Sequence, residues 1–588
     1  MSLHSRAVLL WSFLAFVVCG GLAWIGLGHW RGTGASDSTS RKLPEEDNRT
    51  FLDDRQRTYI WEVEHHVLVL SKHWFRDFSQ ALEQSDEKSL GEILAQDFQG
   101  GILQKPIEEK LDTPFAKVVR QKNAGHAPVP LTPSEFIGFL LDYRKRFQKS
   151  PHVKVYPKTM GPRNRDDVDS PWEGTGVLRM WGETKPGKPR EVVLHFHFRI
   201  PRPHKKDEKE YRKDHWLESM EITQVQSAEA PRYLLRDATR ERNIDATKLH
   251  DNWNSEKKFP VSGGVYLCDF NRDGIPDMLV VDISGYALYQ GLADGKLKDV
   301  TTEVGLPGIS EWDGNSAAFV DLDGDGWEDL IIGNNIYRNV DGKKFVDYTY
   351  RTNLRFPADA TGVSICDYDK DGLVDLYVTR PGKGKEKSWL DGHSGDKRGN
   401  QLWRNLGNWK FEDVTEKSGA SGGSRSVFSA VWLDINNDGW PDLYVPNEFG
   451  NGVLLLNNGD GTFRQHALMK GPHDFGTMGI TCGDINNDGH IDLYLANMYS
   501  KTGSRIVGLV KPGTYSEEIM AKMRRFVSGS NLYLNKGNLT FDSVSPPWQM
   551  NDIGWAYGPA LVDLDNDGFL DLFATSGFVS VSRDEPDG

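Results

Sequence analysis

Six short stretches decide the fold: DFNRDGIPD (269–277), DLDGDGWED (321–329), DYDKDGLVD (367–375), DINNDGWPD (434–442), DINNDGHID (484–492) and DLDNDGFLD (563–571). Each has Asp at position 1, Asp or Asn at 3, Asp at 5, Gly at 6 and Asp at 9. Oxygen donors at alternating positions of a tight turn can converge on one hard cation, and Gly at position 6 permits the turn. The candidate ligands are Asp269, Asn271, Asp273 and Asp277; Asp321, Asp323, Asp325 and Asp329; Asp367, Asp369, Asp371 and Asp375; Asp434, Asn436, Asp438 and Asp442; Asp484, Asn486, Asp488 and Asp492; and Asp563, Asp565, Asp567 and Asp571. Magnesium demands a stricter octahedron, and the absence of Cys and His donors argues against zinc and copper, so the expected ion is Ca2+, at about six sites. An EF-hand is excluded, because its position 12 is a bidentate Glu and here that position is Val280, Ile332, Val378, Val445, Leu495 or Ala574. Acidic turns capped by Asx hydrogen bonds are the simpler alternative. Six copies sharing one Gly and four oxygen positions argue against it.

After position 9 each copy enters a short apolar run (MLVV, LIIG, LYVT, LYVP, LYLA, LFAT) of strand character. A second signature follows: ALYQGLADGKLKDVT from Ala287, NIYRNVDGKKFVDYT from Asn335, NQLWRNLGNWKFEDVT from Asn400, LLLNNGDGTF from Leu454 and NLYLNKGNLTF from Asn531. Each reads as strand, Gly or Asn turn, strand. One repeat therefore holds about four short strands, the content of a propeller blade. YLLRDAT, from Tyr233, has the form of a closing strand and lies ahead of the first loop.

These residues resemble the FG-GAP and VCBS repeats of integrin-alpha-type β-propellers, from about Tyr233 onward. DFGTMGITCGDINNDG at Asp474, GWAYGPALVDLDNDG at Gly554 and an insertion from Ser500 to Ser530, carrying SRIVGL and the helix-like YSEEIMAKMRRF, are similar to the cartilage acidic protein and UnbV-like family. The resemblance implies a mainly β fold, a six- to seven-bladed calcium-binding propeller over 229–588, and a role in adhesion or recognition of protein or glycan.

The 588 residues exceed one ordinary core, and 38% apolar content with 18 Trp excludes disorder for the bulk. A formal charge of −14 argues against nucleic acid as partner and suits a cation binder. Residues 7–30, AVLLWSFLAFVVCGGLAWIGLGHW, contain no charged side chain and are long enough to cross a bilayer. This predicts a transmembrane signal-anchor over 1–30, with the rest of the chain extracytoplasmic. A cleaved signal peptide is the alternative, although the apolar run exceeds the usual signal core. Residues 31–56 read as a flexible linker.

Over 57–228 an α+β domain is expected. Ile60, Val63, Val67, Leu70, Trp74, Phe78 and Leu82 recur at helical spacing between Arg57 and Glu83. Ser85 or Asp86 can cap a short second helix through Leu94, and Thr132, Pro133 and Glu135 have the N-cap, N1 and N3 chemistry of a third. Val192, Leu194, Phe196, Phe198 and Ile200 alternate with polar residues along a strand, with Gly176–Trp181 and Trp216–Val225 as neighbours. Helices followed by a long curved sheet resemble the nuclear-transport-factor-2-like cone. His195 and His197 could hold a metal from one strand face, though a solvated face is the simpler reading. The stretch 204–213, HKKDEKEYRK, reads as a hairpin loop.

Four cysteines, Cys19, Cys268, Cys366 and Cys482, are too few and scattered for a disulfide framework. No GxSxG, HExxH or P-loop is present. The leading expectation is a membrane-anchored binding scaffold rather than an enzyme. The alternative is an extracytoplasmic enzyme, a polysaccharide-acting propeller or a small-molecule pocket in the first domain, with His195, Lys385, His393 and Arg505 as candidate groups.

Overall fold

The computed structural model describes residues 52 and 54–576, except 114, 165–166, 168, 204–210, 212–213, 249, 251–262, 283–284, 309–315, 358–359, 381–398, 423–425, 470–473, 546–549, 552 and 555. The apolar stretch 7–30 and most of the charged stretch 204–213 lie outside them. Among the described residues no helix is long and apolar enough to cross a membrane. The chain divides into two compact units, one of Ser40–Asp237 with Ser504–Ser516, the other of Ala238–Gly503 and Glu517 onward.

In the first unit the amphipathic pattern expected as one helix folds as two, Asp54–Lys72 and Trp74–Gln84. The break falls at His73, whose backbone angles (φ −119°, ψ −73°) stay in the right-handed region but depart from those of a regular helix. It turns Trp74, Phe75 and Phe78 together into the core. Glu87–Ile93 follows, capped by the Asp86 carboxylate accepting from the Ser89 amide. Pro133–Arg144 begins with the expected capping box between Thr132 and Glu135.

The sheet runs Ile107–Asp112, Lys117–Lys122, Leu217–Glu229, Lys188–Ile200, Trp172–Lys185, His152–Pro162, all antiparallel. Leu94–Ile102 joins Leu217–Glu229 in parallel and Val129–Leu131 antiparallel. The alternation from Val192 to Ile200 is realised, with all five apolar side chains buried. They meet an aromatic cluster in which Trp74 stacks on Trp216 at 4.9 Å and Phe75 meets Phe198 edge-on at 5.3 Å. Gly176 lets the Phe196 ring lie flat on its neighbour strand, since a Cβ there would sit 2.3 Å from that ring.

The second unit is built of blades. Five four-stranded antiparallel sheets follow one another. Blade 1 is Val265–Cys268, Asp277–Asp282, Gly285–Gly291 and Leu297–Asp299; blade 2 is Ala317–Val320, Asp329–Ile332, Asn335–Val340 and Lys344–Asp347. Blade 3 is Gly362–Cys366, Asp375–Thr379, Gln401–Asn405 and Phe411–Asp413, and blade 4 is Val431–Leu433, Asp442–Val445, Val453–Asn457 and Phe463–His466. Blade 5 is Thr477–Gly483, Asp492–Asn497, Asn531–Asn535 and Phe541–Ser543. A sixth sheet has two described strands, Ala556–Val562 and Asp571–Ser576.

First strands of successive blades lie beside one another in chain order. Apolar side chains of the second strands, such as Leu330, Leu376, Leu443 and Leu493, are fully buried between the sheets. Tyr233–Thr239, expected as a closing strand, is not a strand, and Leu234 and Leu235 are exposed. The insertion in blade 5 forms helices Lys501–Leu509 and Glu517–Phe526.

Candidate metal centre

Every acidic loop joins the first and second strands of its blade, and position 9 is in each case the first residue of the second strand. Position 4 takes the left-handed conformation in all six: Arg272, Gly324, Lys370, Asn437, Asn487 and Asn566 have φ between 55° and 74°. Position 6 is also left-handed, as in Gly326 and Gly372 with φ 93° and 89°, where a side chain would be strained. Two left-handed residues in three wrap the backbone around the position 1 carboxylate. In the third loop Asp367 accepts from the amides of Asp371 (3.1 Å) and Gly372 (3.0 Å), and the other loops repeat this pair.

Position 9 is held differently. Asp375 accepts from the Tyr368 amide (3.2 Å) with one oxygen and from the Asn405 amide on the third strand (2.8 Å) with the other. Asp277, Asp329, Asp442 and Asp492 are tied the same way. All five are fully buried. Burial pushes the carboxyls of Asp329 and Asp375 up to about 7 and those of Asp277 and Asp442 up to about 6, with that of Asp492 also raised. A divalent cation beside them would favour the ionised form that burial disfavours.

Three of the predicted sets bring ligand atoms together: Asp321, Asp323 and Asp325; Asp367, Asp369 and Asp371; and Asp563, Asp565 and Asp571, in each case within 4.8 Å of one another. In the loops with Asn at position 3 the Asn amide donates to position 5: Asn271 to Asp273 (3.0 Å), Asn436 to Asp438 (2.8 Å) and Asn486 to Asp488 (2.9 Å). In the second and third loops an Arg from the third strand takes that place. Arg338 pairs with Asp323 and Asp325, both at 2.9 Å, and Arg404 with Asp369 (2.6 Å) and Asp371 (2.9 Å). Asp369 Oδ1 is nonetheless buried with no hydrogen-bond donor among the described residues. A buried carboxylate oxygen without a donor, within a set of three gathered carboxyl groups, fits a hard cation.

The loops touch around the unit. Arg272 lies over the ring of Trp327 (5.1 Å) and Lys370 over Trp440 (4.5 Å), while the Asn437 and Asn487 amides donate to Gly489 O (3.0 Å) and Gly568 O (2.9 Å). In these four cases position 4 of one loop reaches position 6 or 7 of the next.

The strand–turn–strand pattern by itself assigns no role to Asn339, Asn405, Asn457 and Asn535. Each is buried at the end of a third strand and donates to the carbonyl of position 2 in the preceding loop and of position 8 in its own. The recurrent Asn ahead of each Gly turn was the available signal. Asn405→Ala removes bonds to Leu322 O (3.0 Å) and Val374 O (3.1 Å) and leaves the first carbonyl buried and the second partly buried without that donor. We expect urea denaturation to show a loss of about 1–3 kcal/mol.

The other candidates do not assemble a site among the described residues. His195 is half-buried and His197 exposed, no third ligand joins them, and burial, followed by Lys158 and Arg120, lowers the His195 pKa. Arg505 pairs with buried Glu64 at 2.9 Å within the first unit. Lys385, His393 and Cys19 lie outside the described residues. Burial pushes the Cys366 thiol up to about 12 and those of Cys268 and Cys482 in the same direction, so these sulfurs are poor nucleophiles at neutral pH.

A family model for the FG-GAP-like repeat matches residues 269–332, 389–445, 434–495 and 524–574. No curated protein matches the chain. Among solved structures, a lectin of Agrocybe aegerita described by its specific recognition of non-reducing terminal N-acetylglucosamine is 14% identical, with a TM-score of 0.31 over 79% of this chain and 95% of that one. A protein from Lactobacillus plantarum is 10% identical, with a TM-score of 0.22 over 63% of this chain and 83% of that one. The repeat matches fall on sheets whose first strands succeed one another side by side, each with its acidic loop between first and second strand. The chain therefore carries FG-GAP-like repeats in four places, on the successive four-stranded blades of a β-propeller.

Proposed function

We propose that the acidic loops bind calcium, at about six sites, and that the rigidified propeller serves as a binding scaffold for a protein or glycan outside the cytoplasm. The observation that carries this reading is the gathering of three carboxylates within 4.8 Å in three separate loops, one with a buried oxygen lacking a donor. Positions 1, 3 and 5, with position 9 behind them, would hold the ion, which supplies the charge that lets several carboxylates share one turn. The abundance of Asp is then accounted for by ligation, so these carboxylates are poor general acids, and the scaffold reading is preferred to an enzyme.

The finer family reading, a UnbV-like protein with an integrin-alpha-type propeller, draws support from the insertion helices of blade 5. For the first unit, helices packed on a long antiparallel sheet support the nuclear-transport-factor-2-like reading. The apolar stretch 7–30 supports a single-pass anchor.

Two measurements test this function. Immobilised glycans probed with the full chain in calcium and in EGTA should show retention that chelation abolishes; identical profiles in the two buffers would remove calcium-dependent recognition. Carbonate washing of membranes should leave the full chain in the pellet and release a chain lacking residues 1–30. Release of both would remove the anchor.

A further inference from the structure

The residue at position 3 varies together with one residue of the third strand. Where position 3 is Asp, in the second and third loops, the third strand supplies Arg338 or Arg404. Where it is Asn, in the first, fourth and fifth loops, the equivalent residue is Gln290, Leu456 or Leu534, one place before Gly291, Asn457 or Asn535. Gln290 reaches Asp273 only at 3.4 Å. Counting positions 1, 3, 5 and 9 with that strand residue, each of these five loops carries three net negative charges. An Arg therefore accompanies the fourth carboxylate wherever the third strand is described.

The two Arg side chains lie at the rim, 32% and 36% exposed, while the position 3 carboxylates they hold are 10% and 13% exposed. Each guanidinium spans the position 3 and position 5 oxygens, doing what the Asn amide does for position 5 in the other loops. Its positive charge thus lies at the oxygens that a cation would approach.

Resting on the calcium reading above, we propose that Arg338 and Arg404 are built-in counter-ions that hold the second and third loops together without metal and set their calcium affinity below the value their four carboxylates would otherwise reach. A single positive charge about 5 Å from a divalent ion changes affinity by roughly tenfold even at the dielectric of bulk water, and by more in a partly solvated rim. Removing the Arg should tighten its own site and loosen the metal-free propeller. Placing an Arg on an Asn-type loop should do the reverse.

The experiment is calorimetric titration of the full chain with calcium chloride, paired with melting in EGTA. The variants are Arg404→Leu, which copies the residue type of blades 4 and 5; Arg404→Gln, which copies blade 1; and Gln290→Arg. We expect one site in each Arg404 variant to bind at least about tenfold more tightly, with a lower melting point in EGTA, and one site in Gln290→Arg to bind at least about tenfold more weakly. Unchanged site affinities in variants that melt cooperatively would overturn the counter-ion role while leaving calcium binding intact. Absence of heat and of any melting shift with the unmodified chain would overturn the calcium reading, and this proposal with it. If Arg404→Leu fails to fold, Arg404→Gln and Gln290→Arg still decide the matter.

Discussion

We expect the propeller transition of the full chain to melt about 20 °C higher in saturating calcium than in EGTA. The size follows from linkage. A ligand that binds only the folded state at a hundredfold excess over its dissociation constant stabilises by about 2.7 kcal/mol per site, so six sites contribute on the order of 16 kcal/mol. A unit of this length unfolds with an entropy of roughly 0.7 kcal/mol per kelvin, which converts that energy into about 20 °C. The physical cause lies in the loops. Without the ion, Asp321, Asp323 and Asp325 crowd their oxygens within 4.8 Å, and Asp329 and Asp375 are buried where ionisation is costly. The first unit has no such cluster among its described residues, so its transition should stay where it is. Differential scanning calorimetry in the two buffers checks both halves, and a propeller transition indifferent to EGTA would exclude calcium as a structural element.

The second large effect concerns Glu448, between the second and third strands of blade 4. Its carboxylate accepts from Ser426 Oγ (2.8 Å), and its main chain exchanges hydrogen bonds with Ser426 O (2.9 Å) and the Gly476 amide (2.5 Å). Burial pushes its pKa up to about 7, with the Ser426 hydroxyl pulling the other way. The folded chain thus keeps a proton that the unfolded chain releases near the ordinary Glu value. Stability from this group is fully present below that value, falls as pH rises, and is gone above about 7. At pH 8 the cost is on the order of 3 kcal/mol. Glu448→Gln keeps an acceptor for Ser426 and carries no charge. We expect it to match the unmodified protein at pH 4.5 and to exceed it by about 3 kcal/mol at pH 8, in urea titrations at saturating calcium. Equal stability at both pH values would show that the carboxylate ionises freely in the folded state. Tyr557 lies close enough for Glu448 to raise its phenol further after burial has done most of that work, which makes tyrosinate absorbance a second probe of the same substitution.

Much of the propeller was legible because its information is local and repeated. Position 6 Gly, position 9 at the start of a strand, and the strand–turn–strand that follows each lie within a few dozen residues, and repetition separates them from chance. The first helix was legible as a period but not as an interrupted element. The apolar spacing from Ile60 to Leu82 persists across His73, and only packing of Trp74, Phe75 and Phe78 against Trp216 and Phe198 decides that the helix turns there. YLLRDAT carried the pattern of a strand without a described neighbour to pair with, and pattern alone does not form a ladder.

By itself the amino-acid sequence determined the number of acidic loops, their oxygen donors and the four-strand content of a blade, because each depends on residues close along the chain whose backbone conformations are set by Gly, Asn and alternating apolar side chains. Tertiary structure alone decided that Asn405 spans two loops, that Arg404 faces Asp369 and Asp371, and that Ser504–Ser516 belongs with the first unit, where Arg505 meets Glu64 across 441 residues of chain. Those contacts join groups far apart in the chain, and their partners are selected by burial and charge only after the sheets have formed.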